Sequence, residues 1–283
     1  AEAIAGIARV VEAAGFPAAF VTDHPFPTDR FVEEAGGHHA LDPFVALSFA
    51  AAATTRLKLQ THVLVLPYRN PFLVAKAVAS LDAVSGGRAI MGVAAGYLKD
   101  EFRALGADFE GRNAYCDEAI RAIRAAWTED GLRFEGTGYR AEGHSLRPRP
   151  VQQPHPPIWV GGNSKAALRR AARLGDGWLP VPTPPKMAGF IRTAAIASLD
   201  DLRERLALLR GYADEAGRER PLEVCFVPFG LNMNRADELD PEAFRGRVAE
   251  LEEIGVTWLT LTLPARSRAE YCDRVADFGA RLA

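Results

Sequence analysis

The feature that most constrains this chain is an alternation of two periods. Short apolar runs that read as strands are each followed by a segment carrying one apolar face at helical spacing, and the pair recurs along the sequence. Residues 3–14 keep Ala3, Ile4, Ile7, Ala8, Val11 and Ala14 on one helical face and stop at Gly15. A strand is expected at 18–22, then a long polar loop through Gly36 and Gly37, then a helix opened by Asp42 as N-cap and Pro43 in its first turn. Further strands are predicted at 57–66, 88–95, 157–160, 177–181, 222–229 and 257–263. Helices are predicted at 71–84, 113–127, up to about 174, at 200–216, from 241 onward and at 267–282.

Strands separated by helices imply a parallel sheet covered on both faces. The eight-fold cadence favours closure into a (β/α)8 TIM barrel over an open doubly wound sheet, and the 283 residues exceed the roughly 250 such a barrel needs. The opening helix has no strand before it, so the first strand of the barrel is expected to lie upstream of Ala1. One domain over 1–283 is predicted, interrupted by a hairpin insertion near 131–150 and a Pro-rich, lid-like segment near 182–197.

Composition removes whole classes of function. With 34 basic against 36 acidic side chains and no basic block, the chain lacks the electrostatic stripe that nucleic acid requires. No charge-free apolar run reaches the length of a membrane span and no signal peptide opens the chain, so a cytoplasmic location is expected. Cys116, Cys225 and Cys272 are odd in number and far apart, which suits buried thiols and not a disulfide framework.

In a β/α barrel the chemistry sits at the C-terminal ends of the strands. Here those positions hold Asp23–His24, Thr61 to Leu64, Ala94–Ala95–Gly96–Tyr97 and Gly161–Gly162–Asn163–Ser164. The six histidines form no HxH pair on a strand, so no catalytic metal is expected. None of the five lysines ends a strand inside the barrel, which disfavours Schiff-base chemistry. Gly92–Val93–Ala94–Ala95–Gly96 has the wrong spacing and place for a dinucleotide-binding turn. What remains suits a bound redox ring. The bare N–H groups of Gly161 and Gly162 at a helix start could take a phosphate, while Asn163 or Ser164 could equally be a plain N-cap.

Taken together, these residues resemble the luciferase-like monooxygenase superfamily, in particular its branch of oxidoreductases that use the deazaflavin coenzyme F420. The resemblance covers nearly the whole chain. It is carried by Phe20–Val21–Thr22–Asp23–His24, the stretch 56–71, Ser85–Gly86–Gly87–Arg88 leading to Met91 through Tyr97 and Glu101–Phe102, the stretch 148–162, and Gly175–Asp176–Gly177–Trp178. It implies a β/α barrel with the ring at the C-terminal face and its phosphate near the loop after the fifth strand. Asp23 and His24 match the pair that lies against the ring in the deazaflavin enzymes, with His24 exchanging the proton that accompanies hydride transfer. Thr61, His62 and Val63 match a segment with a non-proline cis peptide at or near His62 and Val63. Ala94, Ala95, Gly96, Tyr97, Gly161, Gly162, Asn163 and Ser164 complete the cofactor-binding set.

One position departs from a family pattern. The sugar-phosphate dehydrogenases carry a catalytic Glu where this chain has Tyr97, so a reductase of an activated double bond, imine or carbonyl is expected in place of an alcohol dehydrogenase. Glu101, four residues on, is read as a structural partner that points away from the Gly96 backbone. The resemblance implies a small-molecule substrate and a homodimer, for which helices 71–84 and 113–127 are apolar enough to offer an interface. Two alternatives stand beside it: an FMN-dependent monooxygenase of the same superfamily, and a cofactor-free binding barrel in which the same segments merely pack.

Overall fold

Helix starts in this chain are written by caps. Asp42 accepts hydrogen bonds from Phe44 N and Val45 N ahead of Pro43, Asn70 does the same for Phe72 N ahead of Pro71, and Ser198 and Asp201 form a reciprocal capping box. The computed structural model describes residues 1–34, 36–229 and 241–282. Its elements run α1 (Glu2–Ala13), β1 (Ala18–Val21), α2 (Asp29–Glu34), α3 (Pro43–Ala53), β2 (Lys58–Val65), α4 (Pro71–Ser85), β3 (Ala89–Ala94), α5 (Lys99–Ala104), α6 (Arg112–Thr128), β4 (Leu132–Gly136), β5 (Tyr139–His144), β6 (Ile158–Gly161), α7 (Lys165–Leu174), β7 (Gly177–Leu179), α8 (Pro185–Phe190), α9 (Leu199–Glu215), β8 (Glu223–Phe226), α10 (Pro241–Ile254), β9 (Trp258–Leu259) and α11 (Arg268–Leu282). A 3-10 turn at Leu66–Tyr68 follows β2.

Two compact units divide the chain. The central one is Ala18–Ile158, and the terminal one joins Ala1–Pro17 to Trp159–Ala283. In the central unit β1 pairs parallel with β2 (Ala18 opposite Lys58, Val21 opposite Thr61), and β2 pairs parallel with β3 (Leu59 opposite Ala89). The β2–β3 register slips between Thr61 and Leu64, and the His62–Val63 peptide inside that slip is cis, as the resemblance implied. α4 and α6 pack together, with Trp127 Nε1 donating to Ala75 O. The apolar face of α6 (Cys116, Ile120, Ile123, Trp127) is thereby buried, so its apolarity belongs to the core; α4 keeps Leu73 and Val84 exposed. Asp82, fully buried, accepts from Val151 N, Gln152 N and Gln152 Nε2, which ties the Pro-rich stretch to α4.

In the terminal unit β6, β7 and β8 are parallel neighbours (Val160 opposite Trp178, Trp178 opposite Val224), and β8 pairs with β9. α1 rests on α11, where the Phe16 and Phe278 rings stack at 5.9 Å and a Cβ on Gly279 would lie 2.4 Å from Ala14 O. Only glycine permits that approach.

The predicted α/β class and its parallel βα units are present, with seven such strands and the 132–144 hairpin among the described residues. Three local expectations change. The loop at 25–40, of which Ala35 lies outside the described residues, contains helix α2, started by Thr28 Oγ1 at 3.2 Å from Phe31 N and braced by the Arg30–Glu34 pair. The 182–197 segment contains α8, and Thr183 and Ile196 exchange two backbone hydrogen bonds of 2.9 and 3.0 Å across it. At Glu101, where only a helical turn was expected, helix α5 runs for six residues. None of the described helices is long and apolar enough to cross a membrane.

Candidate active site

At the end of β1 the chain turns through Asp23, His24, Pro25 and Phe26, and two carboxylates hold that turn. The first is Asp23 itself. Its side chain is 1% exposed and accepts both guanidinium N–H groups of Arg69, at 2.7 and 2.8 Å, and the backbone N–H of Val65 at 3.0 Å. A bidentate Arg–carboxylate pair of this kind fixes orientation as well as charge. Arg69 follows the 3-10 turn after β2, and its own carbonyl accepts from Tyr115 OH.

The second carboxylate is Glu101 in α5, also 1% exposed at its side chain. It accepts from Phe26 N and Tyr68 OH, each at 3.0 Å, and lies 3.4 Å from His24 Nδ1. Burial acts to raise the Glu101 carboxyl, but the hydrogen bonds from His24, Phe26 N and Tyr68 outweigh it and hold the group below the ordinary glutamate value. The same contacts push the Tyr68 phenol well above its usual range, burial first and the Glu101 charge second.

Three rings surround the His24 imidazole. Phe31 and His38 have centroids 5.2 Å away and Tyr97 lies at 6.4 Å, the last two edge-on. His38 Nε2 bonds Thr22 Oγ1 at 2.7 Å, and burial, then the neighbouring His24 and His39, lower its proton affinity. His24 Nε2 has no hydrogen-bond partner among the described residues. Burial and then Glu101 raise the Tyr97 phenol, so Tyr97 is a neutral hydroxyl at physiological pH.

On β2, Thr61 is buried and donates to Gly92 O at 2.8 Å, which makes it a strand-to-strand tie. His62 packs against Phe20 with ring centroids 4.9 Å apart, its Nδ1 is buried with no partner, and burial lowers its pKa to about 4. It is therefore a neutral imidazole. Val63 follows across the cis bond. After β3, Ala94, Ala95 and Gly96 are half-buried small residues. Gly96 has φ of +81°, and a Cβ there would sit 2.6 Å from Val65 Cγ1 and 2.9 Å from Phe102 Cε2. Only glycine fits.

The second group of expected residues lies in the terminal unit, in the turn between β6 and α7. Asn163 is fully buried. Its amide nitrogen donates to Val181 O, Thr183 Oγ1 and Ala194 O at 2.8 to 3.1 Å, and its oxygen accepts from Val181 N. Ser164 is the N-cap of α7 and accepts from Ala167 N. Both side chains are thus engaged in holding the turn, and the 182–197 segment is laced to it. Gly162 has φ of +110°, and its carbonyl accepts from Trp178 Nε1; its N–H, expected to be bare, donates to Leu179 O at 3.3 Å, and that of Asn163 donates to Thr193 Oγ1 at 3.0 Å.

Sequence reasoning missed Tyr68, Arg69 and His38, and placed Glu101 with its back to the site. The signals were present: Tyr68 and Arg69 fall in the 56–71 stretch and Glu101–Phe102 is itself a family-like pair. The partners of Tyr68, Arg69 and Glu101 lie 33 to 77 positions away and that of His38 lies 16 away, at separations no periodicity reports. Among the described residues no group of three or more His, Cys, Asp or Glu is arranged to hold a metal ion.

The profile of the luciferase-like monooxygenase family matches residues 1–238. An FMNH2-dependent dimethylsulfone monooxygenase from Pseudomonas putida is 32% identical over 259 residues, which are 88% of this chain and 66% of that protein. The chain thus spans just under two thirds of that relative's length. Among solved structures, monooxygenase RslO1 from Streptomyces bottropensis superposes with a TM-score of 0.81 at 24% identity, covering 99% of this chain and 92% of that one. The coenzyme F420-dependent tetrahydromethanopterin reductase from Methanopyrus kandleri does so with a TM-score of 0.71 at 18% identity, covering 99% and 94%. Both likenesses bear on the fold, and the match over most of the sequence decides the family. With its parallel βα units and its two-carboxylate turn after β1, this chain belongs to the luciferase-like monooxygenase family.

Proposed function

We propose that this chain is an oxidoreductase that moves a hydride between coenzyme F420 and a small organic substrate, acting as a reductase, with His24 exchanging the accompanying proton. The observation that carries the reading is the held Asp23–His24 turn. Asp23 is fixed by Arg69 and Val65 N, so the residue after it projects from a rigid corner with one ring nitrogen bonded and the other uncommitted. Imidazole is the side chain suited to giving and taking a proton near neutrality.

In the central unit the residues present fit a flat ring. Gly96 keeps the end of β3 free of side-chain bulk, and the buried, unpartnered Nδ1 of His62 is a polar atom that such a ring can satisfy. Within the terminal unit, taken by itself, the first N–H groups of α7 are the chemistry that takes a phosphate, while those of Gly162 and Asn163 are bonded to Leu179 O and Thr193 Oγ1. The deazaflavin, when bound, supplies hydride. What the chain supplies is orientation and a proton: His24 delivers it from Nε2 to the substrate atom that gains charge, and regains one from water. Tyr97, neutral and edge-on to His24, lines the same place without a carboxylate's capacity to act as base.

A second reading, an FMN-dependent monooxygenase, is favoured by the 32% identity to the dimethylsulfone enzyme. Fluorescence titration of the purified protein with F420 and, separately, FMN separates the two. Micromolar affinity for F420 with weak FMN binding supports the first reading, the reverse supports the second, and binding of neither leaves a barrel without a cofactor. His24→Ala is expected to keep F420 affinity within a few-fold and to lower turnover of a reducible substrate by about 100-fold or more.

A further inference from the structure

His24 can do acid–base work only if one defined ring nitrogen faces the reaction, and an imidazole on a surface turn has no intrinsic reason to choose. Free imidazole populates both neutral tautomers, and the hydrogen bond made by one nitrogen decides which the other adopts. In this structure the choice is made from helix α5. We propose that Glu101 is a positioning residue that holds the Nδ1–H of His24, leaving Nε2 as the atom that exchanges protons, and that Tyr68 in turn holds Glu101. This deepens the reading of His24 given above and rests on it.

Three observations carry the inference. Glu101 is a buried carboxylate whose neighbours are all donors: Phe26 N at 3.0 Å, Tyr68 OH at 3.0 Å and His24 Nδ1 at 3.4 Å. An ionised carboxylate can only accept, so Nδ1 must carry the hydrogen in that contact. The Phe26 contact also ties Glu101 to the backbone two residues beyond His24, so the same carboxylate fixes both the turn and the ring. And the turn is clamped independently on its other side by Asp23 and Arg69, which leaves the imidazole little freedom except rotation about its own bonds.

The groups that face His24 are few. Glu101 comes from α5, with Tyr68 acting on Glu101 from the turn after β2. Tyr97 comes from the turn after β3 and His38 from the loop before α3, while the charge of Asp23 is matched by Arg69. Of these, Glu101 alone bonds the ring, so its tautomer is set by α5, from a residue 77 positions downstream.

The test uses the cofactor-free protein, so it is independent of which cofactor binds. Two-bond 1H–15N correlation spectra report the tautomer and titration midpoint of each of the six histidines. Neutral His24 is expected as the Nδ1–H form, the opposite of the preference of free histidine, and Glu101→Gln, whose amide can turn either its oxygen or its NH2 toward the ring, is expected to release part of the population to the Nε2–H form. Tyr68→Phe, which keeps the carboxylate and removes one competing donor, should leave His24 in the Nδ1–H form. Neutral wild-type His24 in the Nε2–H form would overturn the assignment without any variant having to fold. So would an unchanged His24 tautomer population in Glu101→Gln. A failed F420 titration alongside a Nδ1–H His24 would instead strike the cofactor reading and leave the positioning role standing.

Discussion

The turn after β1, read from sequence as the proton-exchanging corner, and the turn after β6, read as a phosphate site or a plain helix cap, are built on opposite plans. At the first, charged side chains converge: Asp23 with Arg69, Glu101 with His24 and Tyr68. At the second, a neutral amide does the holding, with Asn163 making four hydrogen bonds and Ser164 capping α7. The difference teaches where recognition must come from. In the first region a side chain is held and left with a working atom. In the second the side chains are engaged, and so are the Gly162 and Asn163 N–H groups, with Leu179 O and Thr193 Oγ1, which leaves the first N–H groups of α7 to meet a ligand.

The comparison breaks hardest at Asp23. Asp23→Ala leaves the Arg69 guanidinium and Val65 N–H without their acceptor in a desolvated corner, and a loss of about 3–5 kcal/mol in unfolding free energy is expected. Urea denaturation measures it; a loss below about 1 kcal/mol would mean the corner is held by something other than this pair.

Next comes acidity, which separates the regions without mutation. His62 is neutral in the folded state with a pKa of about 4, against 6.5 for the unfolded chain. The unfolded chain therefore binds a proton that the native chain refuses, so this contribution to stability is full above about pH 6.5 and is lost as pH falls toward 4, up to about 3 kcal/mol. His62→Leu should flatten that part of the pH–stability curve. An unflattened curve would place the acid sensitivity elsewhere.

The turn after β6 is expected to respond less. Asn163→Ala should cost about 2–3 kcal/mol, because Val181 N, Val181 O, Ala194 O and the buried Thr183 hydroxyl all lose a partner, and should raise proteolytic sensitivity in 182–197. Ser164→Ala removes only an N-cap and should cost about 1 kcal/mol. If Ser164→Ala weakens cofactor binding more than it weakens the fold, its hydroxyl meets the ligand directly and the contrast between the two turns narrows.

Much of this architecture was legible from local rules. Asp42–Pro43 and Asn70–Pro71 announce helices α3 and α4 because capping is settled within four residues. The buried run 89–94 announces a strand covered on both faces. The cis bond at His62–Val63 was legible only through family resemblance, since no local preference produces it. Helix α2 escaped notice, and α5 was read only as a helical turn at Glu101, because each is six residues long, too short for a hydrophobic period to show.

The sequence by itself determined the alternation of strands and helices, the caps that start them, and which strand ends carry residues capable of chemistry, because each of these is fixed by neighbours a few positions apart. Tertiary structure decided the rest. Whether Glu101 faced solvent or His24, whether Asp23 was free or locked to Arg69, and whether Asn163 was ligand or brace all depended on residues 18 to 77 positions away. Hydrogen bonds and ion pairs act over a few ångströms, so only the folding that brings such distant residues together can assign a polar side chain its role.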